Sequence, residues 1–194
     1  MACANYWTTP FQVGSHHLAR GFVNAGWTVG FVSDPISPLH LLGHARKELA
    51  SRFHLHRHGG VWDHGKKLWA YVPAALATPR NEPLLRSDAL ERGWAHLTWP
   101  SVGGVVRNHG FGEVDLLYCD SPKHLSWLSQ VARARTVFRV ADNTSGFGRT
   151  TPAARAAEVV GPTRRLPIEA RGQRLGRLRG QVHGTVLVID AGLG

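Results

Sequence analysis

With 194 residues, 43% of them hydrophobic, the chain is long and apolar enough for one packed domain. No apolar run reaches the roughly 18 residues of a membrane span, no basic-then-apolar leader opens the chain, and two cysteines exclude a disulfide framework. Lys and Arg outnumber Asp and Glu by 23 to 13, a formal charge of +10, which favours anionic partners: nucleic acid, acidic lipid or phosphorylated molecules.

In chain order, Met1 to Ala4 is too short for a full strand, although the loop and helix behind it are of the kind that a strand normally precedes. Asn5 to Gly14 is rich in turn formers, and Ser15 has the chemistry of an N-cap. Leu18, Ala19, Phe22, Val23 and Ala25 then share one helical face, with Gly26 where a helix ends. Trp27 to Val32 predicts a strand, closed by Ser33-Asp34-Pro35. Pro38 to Phe53 predicts a helix interrupted by Gly43, and Leu68 to Val72 a strand stopped by Pro73. Between them, His54-Leu55-His56-Arg57-His58 reads as alternating His on an extended segment, without the carboxylate or Cys partners of a zinc site.

Leu84 to Leu97 predicts a helix with Trp94 and Leu97 on one face, broken by Trp99-Pro100. Val114 to Cys119 predicts a buried strand. Ser121-Pro122 then opens a helix that sets Leu125, Leu128 and Val131 on one side, and Thr136 to Ala141 predicts the next strand. Strands alternating with helices indicate an α/β fold: a Rossmann-like, doubly wound, mostly parallel sheet. After Glu158 the composition turns Arg- and Gly-rich. This divides the chain into a domain over 1–158 and an irregular tail over 159–194, in which Thr185 to Ile189 is either a strand or a chance apolar run.

The strand over Thr136 to Ala141 runs into Asp142-Asn143-Thr144-Ser145-Gly146. Open α/β sheets bind ligands at the carboxyl ends of their strands, so Asp142 stands where a carboxylate can take a proton from a substrate hydroxyl. The same residue types form turns for local reasons, and that alternative stays open. Asp34 and Asp120 also close strands. No G-x-G-x-x-G precedes the first helix, so Asp34 does not signal a dinucleotide, and Asp120 reads as a turn residue or cap.

Three stretches resemble one family in the same order. They are Pro10-Phe11-Gln12-Val13-Gly14-Ser15-His16-His17-Leu18-Ala19-Arg20 on to Val32-Ser33-Asp34, then Val114 to Ser121, then Val137-Phe138-Arg139-Val140-Ala141-Asp142. They are similar to the first loop and helix, a mid-domain strand and the following strand of the xanthan-type glucuronosyltransferases, inverting enzymes of the GT-B class. The resemblance covers roughly residues 2–158. It implies the N-terminal, acceptor-side half of a GT-B fold, with Asp142 as the general base. It implies an acceptor cleft lined by Gly14, Ser15, His16, Asn143, Thr144 and Ser145. Ser15 reads as a helix cap before it reads as a substrate contact, and His16 is equally readable as a solvated or core-edge residue.

The resemblance further implies a sugar nucleotide as donor, held by a second domain, with no cofactor and no metal. The acceptor would be a sugar, polysaccharide or polyprenyl-diphosphate-linked. The expected location is cytoplasmic, at the inner membrane face. Arg46, Lys47, Arg52, Arg57, Lys66 and Lys67 form a basic band that is either an ordinary solvated face or, with Phe53, Trp62 and Trp69, a surface that meets anionic lipid. Two other readings stand beside this one. One is a non-catalytic basic binding module. Its Lys and Arg are scattered and no nucleic-acid motif is present, which argues against nucleic acid. The other is an inactive fragment whose first strand is clipped and whose tail comes from a truncated or frameshifted gene.

Overall fold

The computed structural model describes residues 1–38, 40, 46–79, 85, 87–139 and 186–189. Strands β1 (Ala2–Cys3), β2 (Val29–Ser33), β3 (Val61–Asp63), β4 (Leu68–Tyr71), β5 (Glu113–Cys119), β6 (Ala132–Arg139) and β7 (Val186–Ile189) form one sheet in the order β3-β4-β2-β1-β5-β6-β7. Pairing is parallel from β4 to β6 and antiparallel at the two edges. Helices α1 (Gly14–Asn24), α2 (Arg46–Arg57), α3 (Asp88–Gly93) and α4 (Val102–Asn108) connect the strands, with 3-10 segments over Trp94–Leu97 and Pro122–Ser129.

Alternation along the strands assigns the two faces. Val29, Phe31, Leu68, Ala70 and Tyr118 pack with Ala19, Phe22 and Val23 of α1. Val32, Trp69, Tyr71, Leu117, Cys119 and Phe138 pack with Trp94, Val102, Val106 and Trp127 on the other side. Layers on both faces of a mostly parallel sheet make the fold Rossmann-like and doubly wound. Order reverses at β1, so the switch point, where such sheets bind ligands, lies between β1 and β5 at their carboxyl ends.

Several elements depart from the sequence-based expectation. The N-cap of α1 is Val13, and Ser15 is the second helical residue. The His54-Leu55-His56-Arg57 stretch is the last turn of α2, not an extended segment. Trp94 is fully buried while Leu97 is 37% exposed, because the expected helix breaks into α3 and a 3-10 turn. The segment after Ser121 is also 3-10. Its three-residue period lines up His124 and Trp127 as fully buried rings, with Ser126 buried beside them and Leu125 and Leu128 only partly covered. Strand β3 and helix α4 have no counterpart in that expectation. Residues 186–189 form an edge strand on β6, which settles the alternative left open for that run.

The β3–β4 turn needs left-handed backbone at His64, Gly65 and Lys66. Gly60 enters β3 at φ +94°, and a Cβ there would stand 2.4 Å from Trp69 Nε1 and 2.7 Å from Ala70 O. Gly26 has a similar φ of +91° with nothing within 4 Å. Gly26→Ala is therefore expected to cost about 1 kcal/mol of left-handed strain, and Gly60→Ala about 3 kcal/mol or more because overpacking is added. Urea unfolding of the two proteins measures the difference.

Candidate functional site

Four strands deliver polar side chains to the carboxyl rim of the sheet. Asp34 follows β2, Asp120 follows β5, the loop 4–13 follows β1, and Arg139 ends β6. Asp120 ties the switch point together. Its N–H donates to Ala2 O at 3.2 Å, and its Oδ1 accepts from Ala4 N at 2.8 Å.

The 3-10 segment lays His124 across this point. Its fully buried ring reaches Asp34 Oδ1 through Nε2 at 2.8 Å and faces Asp120 Oδ1 through Nδ1 at 3.4 Å. The second contact is an ion pair without hydrogen-bond alignment. Lys123 completes the group by binding Asp34 Oδ2. Burial alone would push the imidazole pKa down, but the two carboxylates outweigh it and hold His124 above its ordinary value of 6.5. Burial works against Asp34 in the same way, yet Lys123 and His124 keep it below 3.8. The cluster closes the switch point, and Lys123 is its most exposed member at 29%.

Of the residues the sequence singled out, Gly14, Ser15 and His16 lie on this rim at the start of α1. Gly14 is exposed, and Ser15 is buried. His16 is fully buried and stacks on Trp7, with ring centroids 5.5 Å apart. Its Nδ1 accepts from Val13 N at 3.2 Å and its Nε2 is 2.8 Å from Tyr6 O, so both nitrogens hold the preceding loop in shape. The ring thus faces the core rather than a cleft. Asp142, Asn143, Thr144 and Ser145 lie outside the described residues.

The last described residue of β6 meets the start of α1: a Cβ on Gly14 would stand 2.5 Å from the Arg139 guanidinium. The cluster escaped sequence reading because Asp34 lies 89 and 90 positions from its partners Lys123 and His124. Its local signals were the two acids closing strands, at Asp34 and Asp120, and the spacing of four between Asp120 and His124. A cavity of about 990 Å³ opens at the opposite rim, beside Trp27, Thr28, Gly110 and Glu113, and none of Gly14, Ser15 or His16 lines it.

Residues 1–160 match the family described as glucuronosyltransferase GumK, N-terminal domain. The chain belongs to that family. No curated protein and no solved structure matches the chain. The match spans everything from β1 through β6, including the loop with Asp142. Membership makes this a glycosyltransferase domain at the coarse level, and such a domain binds a sugar acceptor. Among the described residues no helix is long and apolar enough to cross a membrane.

The cluster fixes a pH dependence. His124, held above 6.5, stabilises the fold fully below that value, and its contribution fades as pH rises through its folded-state pKa. Asp34, held below 3.8, contributes fully above that value and is lost as pH falls through its own lower pKa. Thermal unfolding is expected to show greatest stability from 3.8 to 6.5, with a decline on the alkaline side that His124→Gln flattens.

Proposed function

We propose that this domain is the acceptor-side half of an inverting GT-B glycosyltransferase. It presents Asp142 as general base to an acceptor hydroxyl while a sugar-nucleotide donor is held by a second domain. The observation that carries this reading is the junction of Arg139 with Gly14. It sets Arg139, three positions before Asp142 in the sequence, beside the start of α1 on the carboxyl rim, and this supports the reading within a domain of the matching family.

In an inverting displacement the acceptor oxygen bonds to the anomeric carbon as the bond to the nucleotide diphosphate breaks. The base receives the hydroxyl proton. Asp142, Asn143, Thr144 and Ser145 supply acid, amide and hydroxyl groups of the kind that orient a sugar.

The test is transfer of radiolabelled sugar to a lipid-linked or polysaccharide acceptor, with the domain joined to a donor-binding domain of the same class. Asp142→Asn is expected to lower the rate by about 10²- to 10⁴-fold without changing the melting temperature. Full activity in that protein ends the assignment.

A membrane-facing role has its own support. Ala75 and Thr98 pair as an antiparallel bridge, with Leu76 N to Leu97 O at 3.0 Å and Trp99 N to Ala74 O at 2.8 Å. This short ribbon turns Ala75 and Thr98 inward and leaves Leu76 74% and Trp99 79% exposed. Phe11, in the loop after β1, is 81% exposed on the same rim. Phe53 and Trp62 are also exposed, as expected, whereas Trp69 is fully buried under His109 and Phe111 and serves the core. With a net charge of +10, these apolar tips suit the surface of an acidic bilayer that carries the acceptor. Co-sedimentation with phosphatidylglycerol vesicles is expected to fall with salt and to drop several-fold in a Leu76→Ser/Trp99→Ser protein. Equal binding by the two proteins excludes this face.

A further inference from the structure

Gly14 opens an eleven-residue helix whose first turn contains no acidic residue. The amino end of a helix carries a partial positive charge. At this end stands another cation: a Cβ on Gly14 would lie 2.5 Å from Arg139 Nη1 and 3.0 Å from Nη2. Among the described residues Arg139 has no ion pair. Two like charges therefore share an exposed corner, an arrangement that an anion between them relieves.

The same corner holds polar atoms without protein partners. Arg139 Nε, Ser15 Oγ and the Tyr118 hydroxyl are all buried and form no hydrogen bond among the described residues. Ser15 and Tyr118 are each only 2% exposed. Tyr118 rises from β5 on the α1 face, and its hydroxyl lies beside the Arg139 guanidinium. Val13 O accepts from the N–H groups of His16 and His17, and those of Gly14 and Ser15 have no acceptor among the described residues. Burying such donors without acceptors is costly, so their collection at one exposed glycine marks a place for a ligand rich in acceptor oxygens.

We propose that Gly14, Ser15, Tyr118 and Arg139 form a binding corner for a diphosphate group. The Gly14 and Ser15 N–H groups and the guanidinium hold its oxygens, and the two hydroxyls add further donors. The absence of a Cβ at residue 14 lets the guanidinium approach the helix end closely enough for one group to bridge both. The proposal deepens the acceptor-side reading and rests on it only for the source of the diphosphate: a nucleotide sugar or a lipid-linked acceptor.

The experiment is a titration of the ¹⁵N-labelled full chain with inorganic pyrophosphate, followed by amide NMR. Saturable shifts are expected at Gly14 and Ser15, and Arg139→Gln is expected to weaken binding about tenfold or more, with Arg139→Lys between the two. Absence of saturable shifts at those amides overturns the proposal. So does equal affinity in a folded Arg139→Gln protein. Should that variant not fold, the wild-type shifts decide alone. Uridine diphosphate and geranyl diphosphate form the two further arms. Whichever binds more tightly than pyrophosphate names the source, and equal binding of all three leaves the bare diphosphate as the recognised group. The titration involves no sugar transfer, so its outcome is independent of the Asp142→Asn assay.

Discussion

Two residues hold the sheet in one piece. Strand β1 consists of Ala2 and Cys3 alone, yet it is the lane that joins the β3-β4-β2 side to the β5-β6-β7 side. Ala2 pairs with Val32 on one flank and with Cys119 on the other. A strand this short has too few ladder bonds to fix the mutual position of its neighbours. The remainder comes from side chains: Asp120 grips the backbone on both sides of Cys3, and His124 spans from Asp120 to Asp34. A buried ion cluster of this type is costly to assemble and more costly to break, so it defines one arrangement of the switch point more than it adds stability.

This constraint places the corner where Arg139 meets Gly14. With β2, β1 and β5 locked at their carboxyl ends, the loop after β1 must climb over the rim before α1 begins, and His16 and Trp7 pack together to hold it there. Strand β6 lies in register with β5, so Cys119 opposes Phe138 and the next residue, Arg139, emerges on the α1 face beside Gly14. A basic side chain at a helix amino end is electrostatically unfavourable within the domain itself. It becomes favourable in the presence of an anion.

The fold was legible where local chemistry and tertiary packing agree. The α1 stripe ending at Gly26, the apolar cores of β2, β4 and β5, and their alternation with helices all follow from side-chain periodicity, which water and the backbone impose on any chain. Legibility failed where a local pattern had two solutions. Ser15 looked like a cap because hydroxyls cap helices, but the helix started earlier and the hydroxyl was buried instead. Leu125, Leu128 and Val131 suggested an α-helical stripe, whereas the segment wound into a 3-10 turn that buried His124 and Trp127. The His-rich stretch over 54–58 carried no helical stripe; Leu55, packed with Ile36 and Val72, and His56, whose Nδ1 lies 3.1 Å from Val72 O and whose ring stacks on Tyr71, anchor it.

Sequence by itself determined the class of fold, the family of the domain and the three stretches that carry the resemblance, because these depend on residue order alone. It also determined the strong positive charge. Only the tertiary structure decided which polar residues meet. The pairing of Asp34 with Lys123 and His124, and the contact of Arg139 with Gly14, join positions far apart in the chain. Such pairings follow from strand order and register, and strand order is set by the packing of whole layers. No local run of residues encodes it.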